Sequence, residues 1–347
     1  MPNIYLIKIL ILTGLSFTTA FLLTPMLTHY LYKYKMGKAI RNTGATPVFS
    51  ALHEHKAGTP TMGGILIWFT TLILALFFFY VDYFFPSSTL GFLNFLTRPE
   101  TILPLSCLVA NALVGLADDF IDIKSLGKGG LKMKHRLLIY VVIAIVGALW
   151  FYYKLGWDMF HIPFVGNVFI GWWYIPVFVF VIVATAFSVN EIDGLDGLAG
   201  GTLLSAFTAF GAIALIQGKI NLAALCAVIA GALLAFLWFN INPARFFMGD
   251  TGAMALGVTL GVVAMLTNQA LLLLLIGFLF VAESLSVILQ MLSKKLRQGK
   301  KIFLSSPIHH HFQAIGWSEP KIVMRFWVVS GVTAVFGLVI FLLDKGL

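Results

Sequence analysis

NLAALCAVIAGALLAFLWF, Asn221–Phe239, is the stretch that decides the fold class. It holds no Asp, Glu, Lys or Arg, and its length is close to the roughly 20 helical residues that cross a hydrocarbon core of about 30 Å. Lipid offers no partner to a loose N–H or C=O, so the segment is a helix or a barrel strand, and barrel alternation is missing. Outward from it, nine more segments read the same way: 4–27, 62–85, 102–117, 135–153, 174–189, 199–217, 251–267, 270–292 and 323–343. The first is too long for the apolar part of a signal peptide and lacks a small-residue cleavage site, so it is expected to stay as a span. Composition agrees: 60% of the 347 residues are apolar and 11% charged, against about half and about a quarter in soluble domains. With 32 Phe and 8 Trp, the chain is not disordered either. The expectation is an all-α integral membrane protein of about ten transmembrane helices, a single polytopic domain over 1–347.

Ten spans leave nine loops that alternate between two faces. Most of the 23 Lys and Arg residues fall on odd-numbered loops: Lys33, Lys35, Lys38, Arg41 and Lys56 on the first, and Lys124, Lys128, Lys132, Lys134 and Arg136 on the third. Arg245 is on the seventh, and Lys294, Lys295, Arg297, Lys300, Lys301 and Lys321 are on the ninth. The even loops hold Arg98, Lys154 and Lys219. By the positive-inside rule the odd loops are cytoplasmic and both termini extracytoplasmic. The formal charge of +9 is therefore juxtamembrane, where each basic group gains about 1 kcal/mol from an anionic leaflet. It forms no stripe on a soluble domain, so no nucleic-acid partner is expected. Trp150, Trp157, Trp172, Trp173 and Tyr174 bracket the fourth loop as an interfacial belt would. Cys107 and Cys226 lie inside apolar runs and read as small buried side chains.

The acids are as one-sided as the bases. Glu54, Asp118, Asp119, Asp122, Glu191, Asp193, Asp196, Asp250 and Glu319 all fall on odd loops or their edges. A carboxylate at the bilayer centre costs about 2.5–3.5 kcal/mol, which keeps these groups at the boundary. A transporter would place its ionisable groups mid-span, on broken helices. Acids gathered on one side favour chemistry at the membrane surface. Glu283, alone within the ninth span, is expected to pair with polar groups inside the bundle.

Five polar motifs lie on that side. Lys56-Ala57-Gly58-Thr59-Pro60-Thr61-Met62-Gly63-Gly64 has helix-start chemistry in Thr59 and Pro60, and its free N–H groups beside Gly and Lys also suit a phosphate. Asp118-Asp119 closes the third span, where two carboxylates oppose each other and the helix dipole unless a cation or a proton offsets them. Asn190 to Gly201 makes two Asp-Gly turns, with Asp193-Gly194-Leu195-Asp196 packing acceptors and glycines together as a nucleotide site would. Asn240 to Gly252 includes Phe247 and Asp250; Asp250 reads equally as the cap of the next span or as a magnesium ligand. Ser305 to Gln313 contains His309, His310 and His311, which cannot all face one metal and instead suit phosphate contact or proton transfer. Zinc is disfavoured, because the carboxylates prefer a hard ion. The constellation points to Mg²⁺-dependent phosphoryl transfer between a nucleotide-linked ligand and a lipid.

In this order the five motifs resemble the bacterial phospho-N-acetylmuramoyl-pentapeptide transferase (MraY) family of the polyprenyl-phosphate N-acetylhexosamine-1-phosphate transferases, over essentially the whole chain. The triple histidine is the most discriminating of them. The resemblance implies transfer of phospho-MurNAc-pentapeptide from UDP-MurNAc-pentapeptide to undecaprenyl phosphate, giving lipid I and UMP. It also implies Mg²⁺, a cytoplasmic cleft, a multi-pass place in the bacterial inner membrane and a homodimer. By motif, Asp250 matches the magnesium ligand, Asp118 and Asp119 the catalytic pair (candidate ligands as well), and His309 the important first histidine. Lys56, Thr61, Asn190, Asp193, Gly194, Leu195, Asp196, Asn240, Phe247 and Gln290 match pocket positions, with Phe247 under the uracil; His310 and His311 are assigned to substrate beside them.

Two positions depart from the pattern. Asp122 stands where a basic residue is usual, leaving Lys124 or Lys134 for that part, and Glu191-Ile192 replaces an uncharged pair. Two routes stay open at this point: direct attack by the lipid phosphate with Asp118 as proton acceptor, or a covalent intermediate on an Asp. The competing readings are a transferase for another UDP-N-acetylhexosamine and, more remotely, a transporter of a lipid-linked sugar.

Overall fold

The computed structural model describes residues 2–37, 56–86, 88–98, 100–125 and 130–347, so Lys38, Arg41, Glu54 and Lys128 of the charge map lie outside the described residues. Every expected span is helical. In chain order the helices are α1 (Pro2–Lys33), α2 (Ile65–Phe84), α3 (Ile102–Lys124), α4 (Met133–Lys154), α5 (Tyr174–Ile192) and α6 (Leu198–Ile216). They continue as α7 (Ile220–Asn240), α8 (Asp250–Leu266), α9 (Leu273–Ile276), α10 (Phe278–Leu296), α11 (Ile308–Ala314) and α12 (Glu319–Asp344). Among the described residues, eight helices are long and apolar enough to cross a membrane, or nine if a bent pair is one span.

The other expected spans differ for physical reasons. Helix α8 has only 17 residues, and Thr251 through Leu266 are all buried. Packed against α3 and α5, it is sheathed by protein and has no lipid thickness to match. The ninth span is broken: Ala270–Ile276 and Phe278–Leu296 meet at 84°. The break falls at Gly277, where a Cβ would stand 2.8 Å from the Leu273 carbonyl oxygen. Beyond it α10 turns Glu283, Ser284, Ser286, Gln290 and Ser293 inward and leaves Leu285, Ile288, Leu289, Met291 and Leu292 exposed. A straight span would have put those polar groups through the hydrocarbon.

Three smaller expectations are corrected. Helix α3 runs past the expected end of the span at 117 to Lys124, so Asp118, Asp119 and Asp122 all lie on its C-terminal part. The fourth loop folds into an antiparallel hairpin, β1 (Met159–Ile162) and β2 (Gly166–Phe169), with Met159 opposite Phe169. Tyr174 is fully buried against Phe151, Trp157 and Phe178, whereas Trp150, Trp172 and Trp173 are exposed as a belt requires. Cys107 and Cys226 are both buried and free.

The bundle has two chemically distinct ends. At one, Lys8 donates to the Asn94 carbonyl and to Asn221, Glu100 accepts the Asn221 and Leu222 N–H groups at the start of α7, and His161 of the hairpin meets Asp344 at 2.7 Å. Even loops and both terminal helices thus share this end. The five motifs share the other. Between the ends, glycines let backbones approach. A Cβ on Gly257 of α8 would lie 2.8 Å from the Ala186 Cα of α5 and 3.1 Å from the Thr185 carbonyl oxygen. Gly257→Leu is expected to lower the melting temperature in detergent by overpacking, a loss of roughly 1–3 kcal/mol or more. Gly14→Leu, at a position with open space around it, is the matched control and should melt as wild type.

Candidate active site

Asp118 and Asp119 share the C-terminal part of α3, where the helix dipole opposes negative charge, and the fold resolves the conflict by sending them opposite ways. Asp119 accepts N–H bonds from Asp250 (3.1 Å) and Thr251 (3.0 Å), the first residues of α8, so an unfavourable helix end is offset by a favourable one. The Thr61 hydroxyl lies 3.5 Å from Asp119 Oδ1. Gly249, at φ 73, closes this corner: a Cβ there would lie 2.6 Å from Asp119 Oδ2 and 2.9 Å from the Met62 nitrogen. The first and fourth motifs are sewn together beside it, Gly63 and Gly64 donating to the carbonyls of Phe247 and Met248, and Phe247 donating to that of Pro60.

Asp118 is fully buried and accepts the Leu131 N–H at Oδ1, while its Oδ2 stands 2.7 Å from Arg136 Nε. The same guanidinium grips Asp250 with both arms, at 3.1 and 2.7 Å, and reaches Asn190 Oδ1 at 3.2 Å. Asn190 in turn donates to Asp250 Oδ1 at 2.7 Å. Four helix ends, those of α3, α4, α5 and α8, therefore meet on one cation. A bidentate guanidinium is the side chain whose planar fork can hold such a set.

A second cluster surrounds Lys56. Its ammonium lies 2.6 Å from both Asp196 Oδ1 and Glu319 Oε1, and 5.8 Å from the centre of the half-buried Phe247 ring. Glu319 also accepts the Asp196 N–H, and Asp196 Oδ2 accepts from Asn242 and the Ala244 N–H. Asn240 braces the third motif, accepting from Gly197 N–H and donating to the Phe246 carbonyl. Leu195 is buried between these contacts, and Asp193 ends α5 next to Gly194. The site's far wall comes from α10 and α11. Gln290 accepts the N–H groups of Ile302 and Phe303 and donates to the Phe303 carbonyl, which fixes the approach to the triple histidine.

The three histidines diverge, as consecutive residues on a helix must. His309 Nδ1 lies 3.0 Å from Glu283, His310 Nδ1 lies 2.8 Å from Gln313, and His311 Nδ1 accepts the Leu304 N–H. His309 and His310 both turn Nε2 toward Gly194. Glu283 thus finds the polar partner expected of it. Among the described residues, no three His, Cys, Asp or Glu groups converge as a metal cage. Asp118 and Asp250 nevertheless bring hard oxygens to one cation, and Mg²⁺ needs only one or two carboxylates when water and phosphate complete its shell. The donor types suit that ion, and in this structure their oxygens are held by the Arg136 guanidinium.

With this geometry in hand, the comparisons with known proteins are specific. Residues 56–67 match the phospho-N-acetylmuramoyl-pentapeptide-transferase signature 1, and residues 101–268 match the glycosyl transferase family 4 model. A phospho-N-acetylmuramoyl-pentapeptide-transferase of Bacillus mycoides is 40% identical over 342 residues, covering 96% of this chain and 97% of that one. One from Desulforamulus reducens is 40% identical over 94% of this chain and 93% of the relative; one from Chloroflexus aurantiacus is 38% identical over 95% and 89%. The chain belongs to the phospho-N-acetylmuramoyl-pentapeptide-transferase family.

Three residues of these clusters, Arg136, Glu319 and Asn242, carry no site role in the sequence motifs. Arg136 was counted only as a juxtamembrane charge, and Lys124 or Lys134 was expected to make up for Asp122. Lys124 lies over the Phe120 ring, and the cation paired with Asp118 is Arg136. Its signal was position: a basic residue already inside the first turn of an apolar helix. Glu319 and Asn242 were in view without a role, and their partners lie 263 and 46 residues away. Arg136→Met leaves the buried Asp118 and the half-buried Asp250 without their counter-ion, and thermal unfolding in detergent should show a loss of about 3 kcal/mol. Adding Asp250→Asn should return part of that loss, a double-mutant cycle that reads the coupling directly.

Proposed function

We propose that this chain transfers phospho-MurNAc-pentapeptide from UDP-MurNAc-pentapeptide to undecaprenyl phosphate, giving lipid I and UMP. The observation that carries the reading is the meeting of Asp118, Asn190 and Asp250 on the Arg136 fork, beside the Lys56 and Phe247 pocket. A lipid phosphate oxygen attacks the phosphorus next to the sugar, its bond to the bridging oxygen breaks, and UMP departs with that oxygen. Asp118 accepts the proton of the lipid phosphate. Arg136 holds the two carboxylates in place. Phe247 offers its face to uracil, Lys56 and the Asp193–Asp196 turn hold the nucleotide, and Asn240 and Gln290 brace the backbone around it. Thr61 and Asp119 fix the start of α8, and His309, with His310 and His311 beside it, faces the substrate phosphates across Gly194. Mg²⁺ would be held by Asp250, with Asp118 beside it, and would supply positive charge to the diphosphate as negative charge develops.

The motif-bearing end is placed at the cytoplasmic face, where the basic loops belong, in the inner membrane of a bacterium. A homodimer is the expected assembly. Purified protein in detergent should release UMP from UDP-MurNAc-pentapeptide only when undecaprenyl phosphate and Mg²⁺ are present. Release from a UDP-N-acetylglucosamine donor instead would transfer the assignment to the sister specificity, and no UMP from any donor would favour a transporter. Asp250→Asn should lower turnover by about a hundredfold or more while the protein still melts cooperatively. One equivalent of UMP released without the acceptor, with the phospho-sugar left on the enzyme, would replace direct attack with the two-step route.

A further inference from the structure

Glu283 and His309 are both completely buried, and the carboxylate oxygen Oε2 stands 3.0 Å from Nδ1 of the ring. Among the described residues, neither carboxylate oxygen of Glu283 and neither ring nitrogen of His309 makes a well-aligned hydrogen bond, so the 3.0 Å contact of Oε2 with Nδ1 is a close charge contact and Nε2 has no partner at all. Buried polar atoms are almost always paired, so an unpaired ring nitrogen at a site calls for an explanation. Its direction supplies one: a Cβ added at Gly194 would collide with His309 Nε2 and stand 3.3 Å from His310 Nε2. The third motif thus has no side chain at the one point where Nε2 faces it. Glu283 reaches this place only because the helix breaks at Gly277 and α10 turns its polar side inward. The Ser286 hydroxyl, donating to the Glu283 carbonyl, and the 2.6 Å bond between Ser284 and Ser188 hold that turn of α10 against α5.

We propose that Glu283 is a positioning residue for the transfer reaction: it fixes His309 as the tautomer with hydrogen on Nδ1 and aims Nε2 at the substrate over Gly194. A carboxylate can only accept, so the nitrogen beside it carries the hydrogen and the other is left for the ligand. Glu191 of α5 lies within electrostatic reach of the pair, and the His310 ring packs 4.1 Å from that of His309. This inference rests on the transferase reading above and adds a residue to it.

The test uses the full chain in detergent, ¹⁵N-labelled at histidine, with His309→Asn to identify the His309 signals. In the wild type the Nδ1 resonance of neutral His309 should be that of a protonated ring nitrogen. In Glu283→Gln, which keeps the shape but can also donate, this preference should be lost. UMP release should fall by about 30-fold or more in kcat, with KM for the sugar nucleotide within about threefold, as expected when a histidine is held in the wrong tautomer. An unprotonated Nδ1 in the wild type overturns the proposal even if no variant folds. So does a folded Glu283→Gln with wild-type kcat. If the wild type releases no UMP, the transferase reading fails, while the wild-type spectrum still decides whether Glu283 sets the ring.

Discussion

Two carboxylates brought together at the end of an apolar bundle need a counter-charge, and the contact of Arg136 with Asp118 and Asp250 meets that need. In a weakly screened setting the repulsion between the acids would push apart the very helix ends that carry them. With the guanidinium between them, the ends of α3, α4, α5 and α8 are tied to one point. Asp119 adds the complementary solution, giving its charge to the N–H groups that open α8. The motif-bearing end is thus held by electrostatics as much as by packing.

The same pattern recurs at Lys56, where one cation faces Asp196 and Glu319, and at His309, where one ring faces Glu283. Each cluster joins residues far apart in the chain. Backbone features make room for two of these corners: the left-handed Gly249 beside Asp119, and the bare Gly194 with the break at Gly277 around His309 and Glu283. The helices supply rigid supports, and the glycines let polar groups come close enough to act on a common ligand. Function at this end is consistent with the chemistry of the other, which is a set of caps and ion pairs around Lys8, Glu100 and His161.

Much of the fold was legible because hydrocarbon imposes a simple rule: apolar residues in runs of membrane length become helices. That rule located all ten segments and their polar edges. It erred where protein replaces lipid as the surrounding medium. Nothing in the run 251–267 says that α8 is sheathed on all sides, and nothing in 270–292 distinguishes a crossing from a bend except Gly277 and the single acid Glu283. The hairpin at 159–169 and the burial of Tyr174 were hidden for a similar reason, since a short amphipathic loop can lie on a surface or fold against a neighbour.

By itself the sequence determined the membrane class, the side on which the polar motifs gather and the residue types of the site, because periodicity, charge and motif order are local properties. Tertiary structure alone decided the pairings: Arg136 with Asp118 and Asp250, Lys56 with Glu319, Glu283 with His309. Those contacts span up to 263 residues, and Coulomb attraction acts on distance in space, which the packing of helices sets and the order of residues does not.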